Sequence, residues 1–132
     1  MKKLFISVPM KGRKQEDIEY SMEKMKKIAE ALFDEELEVI DSYKPEFKDK
    51  PPVYCLGQSI SFMSEADYFI GTERRWYGAE TYCGCEIERN VAFNYGIEYL
   101  LIPFENVLSK AEKAAAKEKN KSYEERCGMP DR

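Results

Sequence analysis

The chain has 132 residues, enough for one domain with its own core, and its 43% hydrophobic and 35% charged content is that of a globular protein. A net charge of −4 and a pI near 5.1, with basic residues dispersed among acidic ones, exclude a nucleic-acid polymer as the main partner. There is no histidine, which excludes Ser-His-Asp and Cys-His catalysis and any His-ligated metal.

"KLFISVP" (3–9) is a short β-rich run closed by Pro9 and reads as strand one. The basic start followed by this run is too short for a signal-peptide core, and no apolar run reaches the roughly 18 residues of a membrane span. A cytoplasmic chain with no membrane partner is expected. "MKGRKQ" is a loop. From Asp17, the apolar residues Ile18, Met22, Met25, Ala29 and Leu32 recur at spacings of four and three, which predicts a helix with those residues inward. "LEVIDS" (37–42) alternates as strand two, and "YKPEFKDKPP" (43–52) is a loop rich in proline and charge.

Residues 53–66 read as a helix with Leu56, Ile60 and Met63 inward, and 67–72 as strand three. "ERRWYGAETY" is a long loop, followed by a helix that Gly96 ends. "IEYLLIP" (97–103) is a continuous apolar run, as in a strand covered on both faces. Residues 1–106 form the α/β domain, and 107–132 a polar, alanine-containing helix that frays into a tail. Strands alternating with helices give a parallel sheet with right-handed crossovers. The fold expected is a three-layer flavodoxin-like or Rossmann-like sandwich with a mainly parallel sheet of four or five strands. Ligands of such sheets sit beyond the carboxyl ends of the strands, so the loops after Pro9, Asp41, Gly71 and Pro103 are the candidates.

The first of these loops, "SVPMKGR", places Ser7, Lys11, Gly12 and Arg13 between a strand and a helix N-terminus, where free N–H groups favour anions. It lacks the spacing of a P-loop and is either an ordinary βα turn or a contact for phosphate or ribose. Asp41 and Ser42 end strand two on the same edge. Trp76 and Tyr77 stack a nucleobase or anchor their loop. Cys55, Cys83, Cys85 and Cys127 show no paired CxxC spacing and read as reduced thiols, so no metal is expected.

The sharpest signal is Glu88 in "GAETYCGCEIERNVAFNYG" (78–96). At about 100° per residue, Gly84, Ile87, Val91, Ala92 and Tyr95 gather on the side to be buried, with Glu88 in the middle of that arc. Glu86, Arg89, Asn90 and Phe93 point the other way. A carboxylate on an apolar face must be paired, protonated or used. Either it bridges Arg or Tyr groups, or it serves as nucleophile or acid/base near the start of a helix at the ligand edge. An ionised glutamate suits attack on an anomeric carbon through an oxocarbenium-like transition state.

"LFISVPMKGR", "SEADYFIG" and "GCEIERNVAFNYGIEYLLIP" together resemble the nucleoside 2-deoxyribosyltransferase-like superfamily, in particular a small bacterial and phage branch, over about residues 2–104. In that superfamily a glutamate followed four residues later by alanine, as in Glu88 and Ala92, attacks the sugar's anomeric carbon and forms a glycosyl-enzyme intermediate. The resemblance implies N-glycosidic bond cleavage, or (deoxy)ribosyl transfer, on a nucleoside or nucleoside 5′-monophosphate, with no cofactor. It assigns sugar or phosphate contacts to Ser7, Lys11, Gly12 and Arg13. Met10 in the same loop, Asp41 and Ser42 at the end of strand two, Trp76 in the third loop, and Tyr82 and Gly84 before Glu88 complete the expected substrate-binding residues. The resemblance also implies a homodimer or higher homo-oligomer, compatible with an outward Phe93. The chain departs from the characterised transferases at Tyr82, where they carry an aspartate six residues before the nucleophile. Two alternatives stand beside this reading: a non-catalytic nucleotide-binding or signal-sequestering module of the same fold, and a TIR-like NAD-cleaving enzyme.

Overall fold

The computed structural model describes residues 1–10, 13–42, 45–47, 49–73 and 83–103. Lys11, Gly12, Trp76 and Tyr82, and the segment 107–132 read as a C-terminal helix, lie outside them. Four strands form one parallel sheet: β1 (Lys2–Ile6), β2 (Leu37–Val39), β3 (Tyr68–Thr72) and β4 (Glu98–Ile102), in the order β2-β1-β3-β4. Leu4 aligns with Val39 on one side and Tyr68 on the other, and Tyr68 aligns with Glu98. Three helices make the crossovers: α1 (Gln15–Phe33), α2 (Pro52–Met63) and α3 (Cys83–Asn94), and a 3₁₀ turn spans Pro45–Phe47. This is the expected α/β sandwich of flavodoxin-like or Rossmann-like type, with four strands among the described residues.

Strand alternation divides the core into two layers. Leu4, Ile6, Val8, Tyr68, Ile70 and Ile102 face α1, where Ile18, Met25 and Ala29 meet them. Phe5, Ile40 and Phe69 face the other way, against Met63 of α2 and Ala92 of α3. The rings of Phe5 and Phe69 stack at 5.9 Å between centroids. The crossover helices of β1 and β3 thus leave on opposite faces, and β1 and β3 flank the switch point at which ligands of such sheets sit.

Local chemistry explains the ends of the helices. Asp34 takes a left-handed conformation (φ 56°) and returns its N–H to the Glu30 carbonyl, which closes α1. Gly96, at φ 75°, closes α3, with the Ile97 N–H bonded to the Ala92 carbonyl at 3.0 Å. Pro52 opens α2 at a position where no N–H is needed. Among the described residues no helix is long and apolar enough to cross a membrane.

Four expectations need correction. Leu32, assigned to the buried stripe of α1, is 65% exposed, because the inward position of the last turn belongs to Phe33, four residues after Ala29, whose ring stacks on Tyr68. Strand two pairs only to Val39 rather than to Ser42; Ile40 keeps one ladder bond, its N–H to the Leu4 carbonyl at 2.9 Å. β4 is not covered on both faces by the described residues: Glu98 and Tyr99 are exposed and only Ile102 is buried. It is the last strand in the order, and α3 shields one of its faces. In α3 the buried arc is Cys85, Glu88 and Ala92, while Ile87 (43%) and Tyr95 (80%) are exposed. The helix is rotated from the expected setting, so Arg89 is half-buried instead of outward; Phe93 is exposed as expected.

Candidate active site

The chain after β1 keeps following the sheet edge: the Ser7 N–H donates to the Ile70 carbonyl at 2.8 Å. By alternation Ser7 lies on the same face as Phe5, under α3. Gly71, at the end of β3, stands beside it. A Cβ at Gly71 would come within 2.9 Å of the Phe69 ring and 3.6 Å of the Ser7 Cβ, so glycine leaves the room that the ring and the serine occupy.

Glu88 meets this spot from above. Glu88 is 8% exposed, and its carboxyl accepts a hydrogen bond at 2.6 Å from the hydroxyl of Ser7, a residue 1% exposed. Burial pushes its pKa up to about 7, while the hydroxyls of Ser7 and of Ser59 on α2 pull it back toward the ionised form. No lysine or arginine among the described residues pairs with it. Cys85, one turn earlier on the same arc, is buried as well. Its thiol is pushed up to about 12, first by burial and then by the Glu88 charge, and opposed by a Ser7 hydrogen bond and by Arg13 and Arg89 nearby. Cys85 is therefore a neutral thiol at physiological pH, too weakly ionised to be the nucleophile. The group with reactive character is the Glu88 carboxylate, which is roughly half ionised near pH 7.

The basic groups are committed to holding the frame. Arg13 donates to the Pro9 carbonyl at 2.7 Å, the Asp17 carbonyl at 3.1 Å and the Ser21 hydroxyl at 2.8 Å, tying the β1 loop to the first turns of α1. Arg89 donates to the Thr72 carbonyl at 2.7 Å and fastens α3 to the end of β3.

The structure thus brings together Ser7 and Glu88 of the residues expected from the sequence. Gly84 lies in the first turn of α3 and faces α2, where a Cβ would meet Leu56 at an ordinary contact distance of 3.7 Å. Met10 is half-buried against the α1-side core, on the far face of the sheet from Glu88. Asp41 is exposed at the rim, and Ser42 is buried with a hydroxyl that has no partner among the described residues. Sequence reasoning missed Ser59, Cys85, Thr72 and Arg89. Cys85 could have been found from its spacing, three residues before Glu88 with Ala92 four after. Thr72, 3% exposed and also without a partner for its hydroxyl among the described residues, sits at the end of β3 beside the switch point. Among the described residues no cluster of three or more acidic, cysteine or histidine side chains could hold a metal ion.

No family model, curated protein or solved structure matches the chain, so the likeness to the nucleoside 2-deoxyribosyltransferase-like superfamily is carried by the sequence motifs alone.

Proposed function

We propose that the protein cleaves the N-glycosidic bond of a nucleoside or nucleoside 5′-monophosphate, or transfers its (deoxy)ribosyl group, with Glu88 as nucleophile. One observation carries this reading: a buried carboxyl, oriented by the Ser7 hydroxyl at 2.6 Å, at the carboxyl edge of a parallel sheet beside its switch point. In the first step a Glu88 oxygen bonds to C1′ as the C1′–N bond breaks and its electron pair leaves with the base. In the second, water or another base attacks C1′ and releases the carboxylate. Among the described residues Glu88 has no counter-cation, which leaves its charge available to the oxocarbenium-like transition state.

The raised pKa of Glu88 favours a second reading. At pH 7 about half of the carboxyls are protonated, and a protonated carboxyl donates a hydrogen bond instead of attacking carbon, as a non-catalytic nucleotide-binding module would require.

Chromatographic assay of free base separates the two. Wild-type protein is offered deoxynucleosides, ribonucleosides, their 5′-monophosphates and NAD, beside Glu88→Gln. The enzyme reading expects base release that drops by about a thousand-fold or more in the variant, and a sugar adduct on Glu88 in the mass of acid-quenched wild type. Ligand binding without release by either protein, at high protein concentration, would leave the binding module standing.

A further inference from the structure

The groups around Glu88 show an imbalance of charge. Its described partners are all neutral: the hydroxyls of Ser7 and Ser59, with the protonated thiol of Cys85 nearby. Among the described residues, the arginines that act on Cys85, Arg13 and Arg89, donate to backbone carbonyls and, for Arg13, also to the Ser21 hydroxyl. A buried carboxylate without a cation is costly, and a ligand that brings a positive charge offsets that cost. The proton inventory leads the same way. To leave a sugar as a neutral molecule, an uncharged base needs a proton from an acid. The chain has no histidine, and Glu88 is the only buried carboxyl among the described residues. It cannot act as nucleophile and proton donor in the same step.

We propose that the substrate class of this site is an N-glycoside whose base already carries a positive charge on the ring system bonded to C1′, such as a pyridinium or an N7-alkylated purinium riboside. This rests on the reading of Glu88 as nucleophile. With such a substrate, a Glu88 oxygen bonds to C1′, the C1′–N bond breaks, and the electron pair neutralises the cationic ring. No proton is required. Anion and cation both disappear in forming the glycosyl ester and the neutral base, a change that a low-dielectric site favours. Water then attacks C1′, the carboxylate is regenerated, and the proton passes to solvent.

The test uses the full chain with 7-methylguanosine and guanosine, which share a sugar and a purine skeleton and differ by the N7 cation, and with nicotinamide riboside as a second cationic substrate. Each rate is divided by the uncatalysed rate at the same pH, because cationic ribosides are intrinsically more labile. The expected result is an enhancement at least about ten-fold larger for one or both cationic substrates than for guanosine, a modest share of what one charge pair supplies at close range. With nicotinamide riboside the rate should also rise with pH to a plateau as Glu88 ionises, without a falling limb. Equal or greater enhancement for guanosine overturns the charge preference and leaves the nucleophile reading intact. A falling alkaline limb with nicotinamide riboside, whose ring has no proton to lose in this range, reveals an acid in the reaction and likewise overturns it. If none of the three is cleaved and no other N-glycoside leaves an adduct on Glu88, both readings fall together; if only neutral substrates react, only the charge preference does.

Discussion

The two edges of the sheet treat polar groups in opposite ways. At the amino edge the polar groups around β1 and Tyr68 have complements. The Tyr68 hydroxyl donates to Glu35 at 2.6 Å, Lys2 reaches the same hydroxyl at 3.4 Å, Lys3 pairs with Glu65 at 3.1 Å, and the Lys3 N–H donates to Asp67 at 2.8 Å. At the carboxyl edge, among the described residues, a buried carboxyl has no cation and the buried hydroxyls of Ser42 and Thr72 have no partner. Polar groups left unsatisfied in a folded chain cost stability, and a chain keeps such a cost where a ligand or reaction uses it. The difference supports the proposed working end at the carboxyl edge without reference to any motif.

The most direct way to break this comparison is to remove the charge of Glu88. Its pKa in the folded chain is raised from the ordinary 4.5 to about 7. Between those values the native chain holds a proton that the unfolded chain has lost, so stability falls as pH rises through that window. Below it both states are protonated and no difference remains. By pH 8 the ionised native state should carry a penalty of about 3 kcal/mol. Glu88→Gln keeps a carbonyl oxygen for the Ser7 hydroxyl and removes this dependence. Urea unfolding at pH 5 and pH 8 should show the variant gaining on wild type by roughly that amount at the higher pH. A wild-type stability that is flat across the window would mean that Glu88 is compensated by a cation after all.

Gly71→Ala comes next. The new methyl would meet the Phe69 ring at 2.9 Å, and overpacking of that kind costs about 1–3 kcal/mol. The same methyl meets the Ser7 Cβ at an ordinary contact distance of 3.6 Å, so any fall in base release beyond the lost stability, at temperatures where the variant is fully folded, comes through a shift of the Phe69 ring. A variant that is destabilised yet keeps full activity would separate the packing of β3 from the orientation of Glu88. Ser7→Ala acts on the carboxyl itself. Loss of a hydrogen bond that favours the ionised form moves the pKa of Glu88 further up, so the acid limb of the activity profile should shift to higher pH. The stability lost at pH 8, where the acceptor is charged, is about 1.5–3 kcal/mol. A pH profile that stays in place would show that Ser59 alone orients Glu88.

The fold was legible because periodicity and breakers carry it. The period-two runs and continuous apolar runs, with Pro9 and Gly96 as stops, place all four strands and the three described helices. Glu88 was legible because it breaks a helical pattern. Helix rotation was less so: an arc drawn through Ile87 and Tyr95 and one drawn through Cys85 and Ala92 both contain Glu88, and only the docking of α3 on α2 and the sheet decides between them. Ser59 and Thr72 carried no signal at all. A serine in a helix and a threonine at a strand end are ordinary, and what singles them out is a neighbour 29 residues away for the first and the lack of one for the second. Arg13 shows the reverse. Its place in a ligand-edge loop suggests anion binding, but its hydrogen bonds to Pro9, Asp17 and Ser21 give it a bracing part that sequence position does not disclose.

The smallest effect sharpens the comparison most, because it pairs one substitution at each edge. Thr72→Val removes a buried hydroxyl that has no partner among the described residues and keeps the shape and β-branching of the side chain. It should leave stability unchanged or raise it by up to about 1 kcal/mol. Tyr68→Phe removes a hydroxyl that bonds Glu35 and Lys2 while leaving the ring stacked on Phe33, so it should lower stability. Opposite signs in thermal unfolding would establish that the two edges differ in polar satisfaction, and the same sign would dissolve the distinction. Activity supplies the second axis. If Thr72 belongs to the ligand side of the switch point, the valine variant, though no less stable, should show a raised KM; the phenylalanine variant, assayed well below its unfolding temperature, should not. A valine variant that gains stability at no expense in KM would make the Thr72 hydroxyl a packing residue of β3 and confine the working end to Ser7, Ser59 and Glu88.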